Sequence, residues 1–277
     1  MKILALHGIE ELGPNHHVSY LDGSIPSKRG PGMPAWSDGP FHSYISGYAP
    51  VEIRKTLDDV DAFILENGPF DGVFGFSQGA AIAITYILDY QRRLPDCQPP
   101  FRFAVFFSPV VSFFPDPEYC RQVVQTLLET CSDDFKNDFP IVDCSTLVPP
   151  GQTFAGYLSK SLLSLEQVGF GRQGIDDRFL VEGDEESVPR PVHPHLLEDR
   201  IHIPTVHVNG KKDHMLFTHQ AQVALGLCCD NLVRVHKHFG GHGIPTKKAD
   251  VRAIISSIEW AMEQSIHMEA LARLSHI

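Results

Sequence analysis

Gly75-Phe76-Ser77-Gln78-Gly79 places a serine between two glycines in the pattern G-x-S-x-G, after the apolar run Gly72–Phe74 and before the Ala/Ile-rich stretch Gln78–Tyr90. A strand that reverses into a helix within a residue or two strains the residue at the bend. Glycines on either side, lacking Cβ atoms, let strand and helix approach. The hydroxyl is then pushed out at the carboxyl edge of the sheet, beside a helix amino terminus that favours developing negative charge. The chemistry open to such a serine is nucleophilic attack; the bland alternative is a plain turn.

A serine hydroxyl attacks only when a base takes its proton, and the base must be a histidine held by a carboxylate. In enzymes built on this elbow the acid precedes the histidine along the chain. Ligands bind outside the carboxyl ends of the strands in open parallel sheets, so each partner must follow the end of a core strand. Asp213 meets that test in the loop after Thr205–Val208, and His242 meets it after the last strand, in His238-Phe239-Gly240-Gly241-His242-Gly243. Asp230 precedes the last strand, Asp250 falls on the final helix, and His236 and His238 fall within the strand. His214 is the rival base, but it shares the acid's own loop. Two oxyanion donors are needed as well. The N–H of Gln78, next after the serine, is one. The N–H of Ile9, in the His7-Gly8-Ile9 loop after the first strand, is the other, unless that loop is only a strand-ending turn.

The elements that must hold these groups are short. Ile3–Leu6, Val18–Leu21, Gly72–Phe76, Phe101–Phe107, Thr205–Val208 and Leu232–His238 are apolar runs bounded by Gly, Pro or Asp, as expected for strands buried on both faces of a parallel sheet. Between them lie helical repeats: Ile53, Leu57, Val60 and Ile64, stopped by Gly68-Pro69; Gln78–Tyr90; and Val251, Ile254, Ile255, Ile258 and Met262, capped at Thr246. Strands alternating with helices predict an α/β fold with a mostly parallel central sheet. Residues 114–201 break that rhythm with acidic and Pro-containing pieces and two helix-like runs, Tyr119–Thr130 and Tyr157–Val168. We read 1–277 as one α/β domain and 114–201 as a cap inserted between core strands. Aromatic residues in or beside it, Phe113, Phe114, Phe154 and Tyr157, suit either an apolar acyl pocket or plain packing.

Composition excludes several classes. The 277 residues carry a net charge of −11, and their only notable basic pairs are Lys211-Lys212 and Lys247-Lys248, which argues against nucleic acid as a partner. No apolar run approaches the roughly 20 residues that span a bilayer. The amino terminus lacks a signal-peptide core. A cytoplasmic protein with six free thiols is the expectation. No zinc, EF-hand or Walker spacing occurs, and Gly169–Gly174, although spaced G-x-G-x-x-G, follows a helix-like run rather than a strand. No cofactor and no metal are expected.

Leu6-His7-Gly8, Gly68-Pro69-Phe70-Asp71-Gly72-Val73-Phe74-Gly75-Phe76-Ser77-Gln78-Gly79-Ala80, Ile203–Gly210 ahead of Asp213, and Gly240-Gly241-His242 together resemble the family of serine hydrolases (FSH, the OVCA2-like group) over about residues 1–113 and 202–265. The resemblance implies an α/β-hydrolase fold with a Ser-Asp-His triad, falling here on Ser77, Asp213 and His242. It also implies hydrolysis of a carboxylic ester, or of a thioester such as a polyketide chain delivered by an acyl-carrier domain of a synthase. Residues 114–201 lie largely outside the family pattern, and Ser108-Pro109 stands where relatives commonly carry Ser-Gly. Two rival readings remain: the same triad serving a lyase or C–C hydrolase, and a binding module that releases a small molecule unchanged.

Overall fold

The computed structural model describes residues 1–6, 17–30, 38–167 and 178–275. They fall into two compact units: Met1–Asp22, Asp61–Val110 and Asp199–Ile277 form the first, and Gly23–Val60 and Val111–Glu198 the second.

The first unit is a six-stranded sheet. Its strands are β1 (Lys2–Leu6), β2 (His17–Leu21), β5 (Gly72–Phe76), β6 (Phe103–Phe107), β7 (Thr205–Gly210) and β8 (Val233–His238), with β3 (Ile25–Ser27) and β4 (Phe41–Ser43) pairing separately in the second unit. The spatial order is β2-β1-β5-β6-β7-β8, and every neighbouring pair is parallel. The sheet therefore grows one way from β1 to β2 and the other way from β1 to β5. That reversal is the switch point beside which open α/β sheets bind ligands. Alternation explains the composition. Ile3, Phe74, Phe103, Val105, Phe107, Val206 and Val208 are buried with Ile254, Ile258 and Ala261 of the last helix, α8 (Lys248–Ser275). Leu4, Leu6, Val73, Ala104 and Phe106, pointing the other way, are buried too.

Helix α2 (Gln78–Arg93) packs on β1, β5 and β6 and buries an unbroken run from Gly79 to Asp89, as its Ala/Ile content required. Helix α7 (Met215–Gly226) packs on β7. The sequence reading of α8 is right in type but not in every position. Ile254 and Ile258 are buried, whereas Val251 and Ile255 are exposed. The Lys247 carbonyl accepts the first intrahelical N–H, from Val251, one residue past the expected cap at Thr246.

The second unit contains α3 (Arg121–Thr130), α4 (Asp133–Asp138), α5 (Gly151–Gln167), α6 (Phe179–Glu182) and the pair β3–β4; helix α1 (Pro50–Asn67) begins in it. Phe113, Phe114, Phe154 and Tyr157 are all buried. Phe113 packs against Tyr48, Phe114 against Tyr119, and Tyr157 against His193. Arg190 is wholly buried and donates to the Pro117 and Glu185 carbonyls, while its own carbonyl accepts from Phe114.

Candidate active site

The strand β5 ends at Phe76 and α2 begins at Gln78, so Ser77 makes the whole turn. Its backbone sits at φ 53° and ψ −114°, a region that costs an L-residue about 1–3 kcal/mol. Two bonds hold it there: the Ser77 N–H donates to the Phe107 carbonyl at 2.9 Å, and its carbonyl accepts the Ala81 N–H at 3.1 Å. The glycines serve close approach. A Cβ on Gly75 would lie 2.5 Å from the Ala80 Cα, and one on Gly79 would lie 2.3 Å from the Leu6 carbonyl oxygen. Backbone stands on both sides, so neither position can admit a side chain without moving the strand–helix junction.

Two further loops leave the same edge. After β7, the Asp213 N–H closes a turn on the Gly210 carbonyl at 3.3 Å. After β8, the chain runs through Gly240 and Gly241 to His242. The loops are tied together: the Lys211 N–H donates to the His238 carbonyl at 2.8 Å, and the Lys212 N–H to the Gly240 carbonyl at 2.9 Å. A Cβ at Gly210 would stand 2.1 Å from the Gly241 carbonyl oxygen, so this junction too requires a glycine.

The three side chains picked out in the sequence meet here. The Ser77 Oγ is 2.9 Å from His242 Nε2, and His242 Nδ1 is 2.9 Å from Asp213 Oδ2. The imidazole and carboxylate are each only 5% exposed. The other carboxylate oxygen, Asp213 Oδ1, accepts the His214 N–H at 2.7 Å. An ionised carboxylate only accepts, so Nδ1 carries the ring proton and Nε2 is left to accept from the serine hydroxyl. Phe217, on α7, lies 4.6 Å from the imidazole centroid and Phe76 lies 5.3 Å from it. These rings went unnoticed in the sequence. The available signals were an aromatic four residues past the acid and another just before the serine.

The competitors are elsewhere. The His214 side chain caps α7, with Nδ1 accepting the Leu216 N–H, and Asp250 pairs with His236 at 3.0 Å. Asp230 lies in the turn before β8. Gln78 is the first residue of α2. Ile9, the other expected oxyanion donor, lies outside the described residues, as does the Gly169–Gly174 motif. Among the described residues no group of three or more His, Cys, Asp or Glu side chains could hold a metal ion, and no helix is long and apolar enough to cross a membrane. All six cysteines are free thiols.

A parallel α/β sheet with a strained serine between β5 and α2, and a histidine and a carboxylate on later loops of the same edge, is the fold and edge layout of an α/β-hydrolase. The serine hydrolase (FSH1) family model matches residues 14–254, and the chain belongs to that family. It is 34% identical to "Esterase alnB" of Emericella nidulans over 279 residues, covering 95% of this chain and 97% of that protein. It is 28% identical to "Serine hydrolase cnsH" of Penicillium expansum over 246 residues, covering 82% and 92% of the two chains. Among solved structures it is similar to esterase RhEst1 from a Rhodococcus species, with 14% identity, TM-score 0.46, and 95% and 90% of the two chains covered. The protein is an ester-hydrolysing enzyme of the serine hydrolase class.

Proposed function

We propose that this enzyme cleaves a carboxylic ester or thioester of a small apolar acyl group through an acyl-enzyme on Ser77. The observation that carries the reading is the unbroken chain Ser77 Oγ–His242 Nε2, His242 Nδ1–Asp213 Oδ2, with both links at 2.9 Å. His242 Nε2 takes the hydroxyl proton as Ser77 Oγ bonds to the substrate carbonyl carbon. The tetrahedral oxyanion is held by the N–H groups of Gln78 and Ile9. It collapses by expelling the alkoxide or thiolate, which receives the proton from His242. Water, deprotonated by the same imidazole, then attacks the acyl-enzyme; the collapse of the second oxyanion returns the proton to Ser77 Oγ and frees the acid. Asp213 holds the imidazole in the tautomer that each step needs and stabilises its charged form. No cofactor takes part in these steps.

Residues 114–201, lying in sequence between two strands that pair in the sheet, we assign as a cap within a single 1–277 hydrolase. The free ester is the favoured substrate form. A thioester on a carrier domain, which the net charge of −11 does nothing to attract when the carrier is itself acidic, is the second. The test is a panel of short and medium acyl p-nitrophenyl esters, the matching acyl thioesters and a β-diketone, with wild type, Ser77→Ala and His242→Ala. Ester turnover lost by about 10⁴-fold or more in both variants is expected. Cleavage of the diketone alone would favour the C–C hydrolase reading, and saturable binding without turnover would favour the binding module.

A further inference from the structure

Four residues before His242, β8 ends at His238, a buried side chain that the triad does not use. Its Nδ1 accepts the Gly240 N–H at 3.1 Å. This is the contact that an Asn or Asp side chain makes with the backbone two residues on, closing a turn, made here by an imidazole. The fit is close: a Cβ at Gly240 would stand 2.9 Å from that nitrogen. Because Nδ1 accepts, the ring is neutral and its proton is on Nε2. That nitrogen is buried, and the Gly243 backbone is the hydrogen-bonding group that acts on the ring, favouring its protonated form. The ring therefore engages the main chain on both sides of His242. The main chain of the same turn is tied from outside by the Lys211 and Lys212 N–H groups described above.

We propose that His238 is a positioning residue for the base: by accepting the Gly240 N–H, its neutral imidazole fixes the Phe239–Gly241 turn that presents His242 to Ser77 and Asp213, and protonation at Nδ1 releases that turn. The proposal rests on the reading of His242 as the general base. The charged and titratable groups that act on the ring are Asp250 from α8, His236 from β8 itself, and Asp213 from the loop after β7. Burial is the largest influence and disfavours the imidazolium, helped by His236 and opposed by the two carboxylates and the Gly243 backbone, so release falls below the ordinary histidine range.

The experiment measures ester hydrolysis across pH for wild type, His238→Ala, His238→Asn and His242→Ala, with thermal unfolding of each. Asn offers an oxygen where the imidazole offers Nδ1 but cannot be protonated in this range. At pH 8, kcat of His238→Ala is expected to fall about 10- to 100-fold with KM within about threefold, the cost of a displaced catalytic group. His238→Asn is expected to recover to within about threefold of wild type. On the acid side, log(kcat/KM) of wild type should fall more steeply than that of His238→Asn by one unit of slope, the proton taken up at His238 Nδ1. Full activity in His238→Ala overturns the proposal. Equal losses of activity and melting temperature in the Ala and Asn variants overturn it in favour of a purely structural role, and an acid slope shared by wild type and Asn overturns the protonation step. An active His242→Ala is the separate failure, removing the base reading and the proposal with it.

Discussion

Replacing Asp213 by Asn changes one atom and should silence the enzyme without unfolding it. In the native site Asp213 Oδ1 accepts the His214 N–H at 2.7 Å and Oδ2 faces His242 Nδ1 at 2.9 Å. An asparagine must keep its oxygen toward the His214 N–H, since the flipped amide would set two donors against each other. Its NH₂ then donates to Nδ1, and the imidazole proton moves to Nε2, facing the Ser77 hydroxyl at 2.9 Å. The base has become a donor and cannot take the serine's proton. A wrong tautomer in an otherwise intact triad costs about 10⁴ in kcat, which at about 1.4 kcal/mol per decade is between 5 and 6 kcal/mol of transition-state stabilisation. The assay is steady-state hydrolysis of a short p-nitrophenyl ester with active-site concentration fixed by titration, alongside thermal unfolding. A melting temperature within a few degrees of wild type is expected, because volume and both hydrogen bonds are kept. Asp213→Asn retaining more than about a tenth of wild-type kcat would refute the assignment of tautomer to this carboxylate.

Other consequences follow from single distances and burials. Gly79→Ala should lower stability by about 3 kcal/mol or more in urea unfolding, because its Cβ would meet the Leu6 carbonyl oxygen at 2.3 Å with backbone on both sides. His207, wholly buried on β7 beside Cys228, is held neutral by desolvation, its pKa pushed down to about 3. The unfolded chain therefore binds a proton near the ordinary value of about 6.5 that the folded state refuses, and stability falls as pH drops from that value toward about 3. Between pH 8 and pH 5 wild type should lose about 2 kcal/mol more than His207→Asn, read by urea unfolding at the two pH values. An equal loss in both would show that His207 titrates normally in the fold.

Much of this site was legible in the sequence because its constraints are local. The two glycines around Ser77 announce a strand–helix reversal, and the rule that ligands gather at the carboxyl ends of parallel strands singled out Asp213 and His242 from many acids and 15 histidines. What was not legible depends on packing across the chain. The β3–β4 pair rests on two three-residue segments with no alternation to reveal them. Phe101 is buried yet precedes β6, because an apolar residue entering a core looks like one inside a strand. Phe217 and Phe76 flank the imidazole only once α7 and β5 are in place. His238 was read as a strand residue, and its bond to Gly240 is invisible until the turn that it closes has formed.

The central claim is that the hydroxyl of Ser77 becomes covalently acylated. Rapid acid quenching of wild type and Ser77→Ala during turnover of a p-nitrophenyl ester, followed by intact mass and peptide mapping, measures this directly. The expected result is an increment equal to the acyl group, located on the peptide containing Ser77, present in wild type and absent from Ser77→Ala. Turnover by wild type with no adduct under any quench time, or an adduct on another residue that persists in Ser77→Ala, would contradict it.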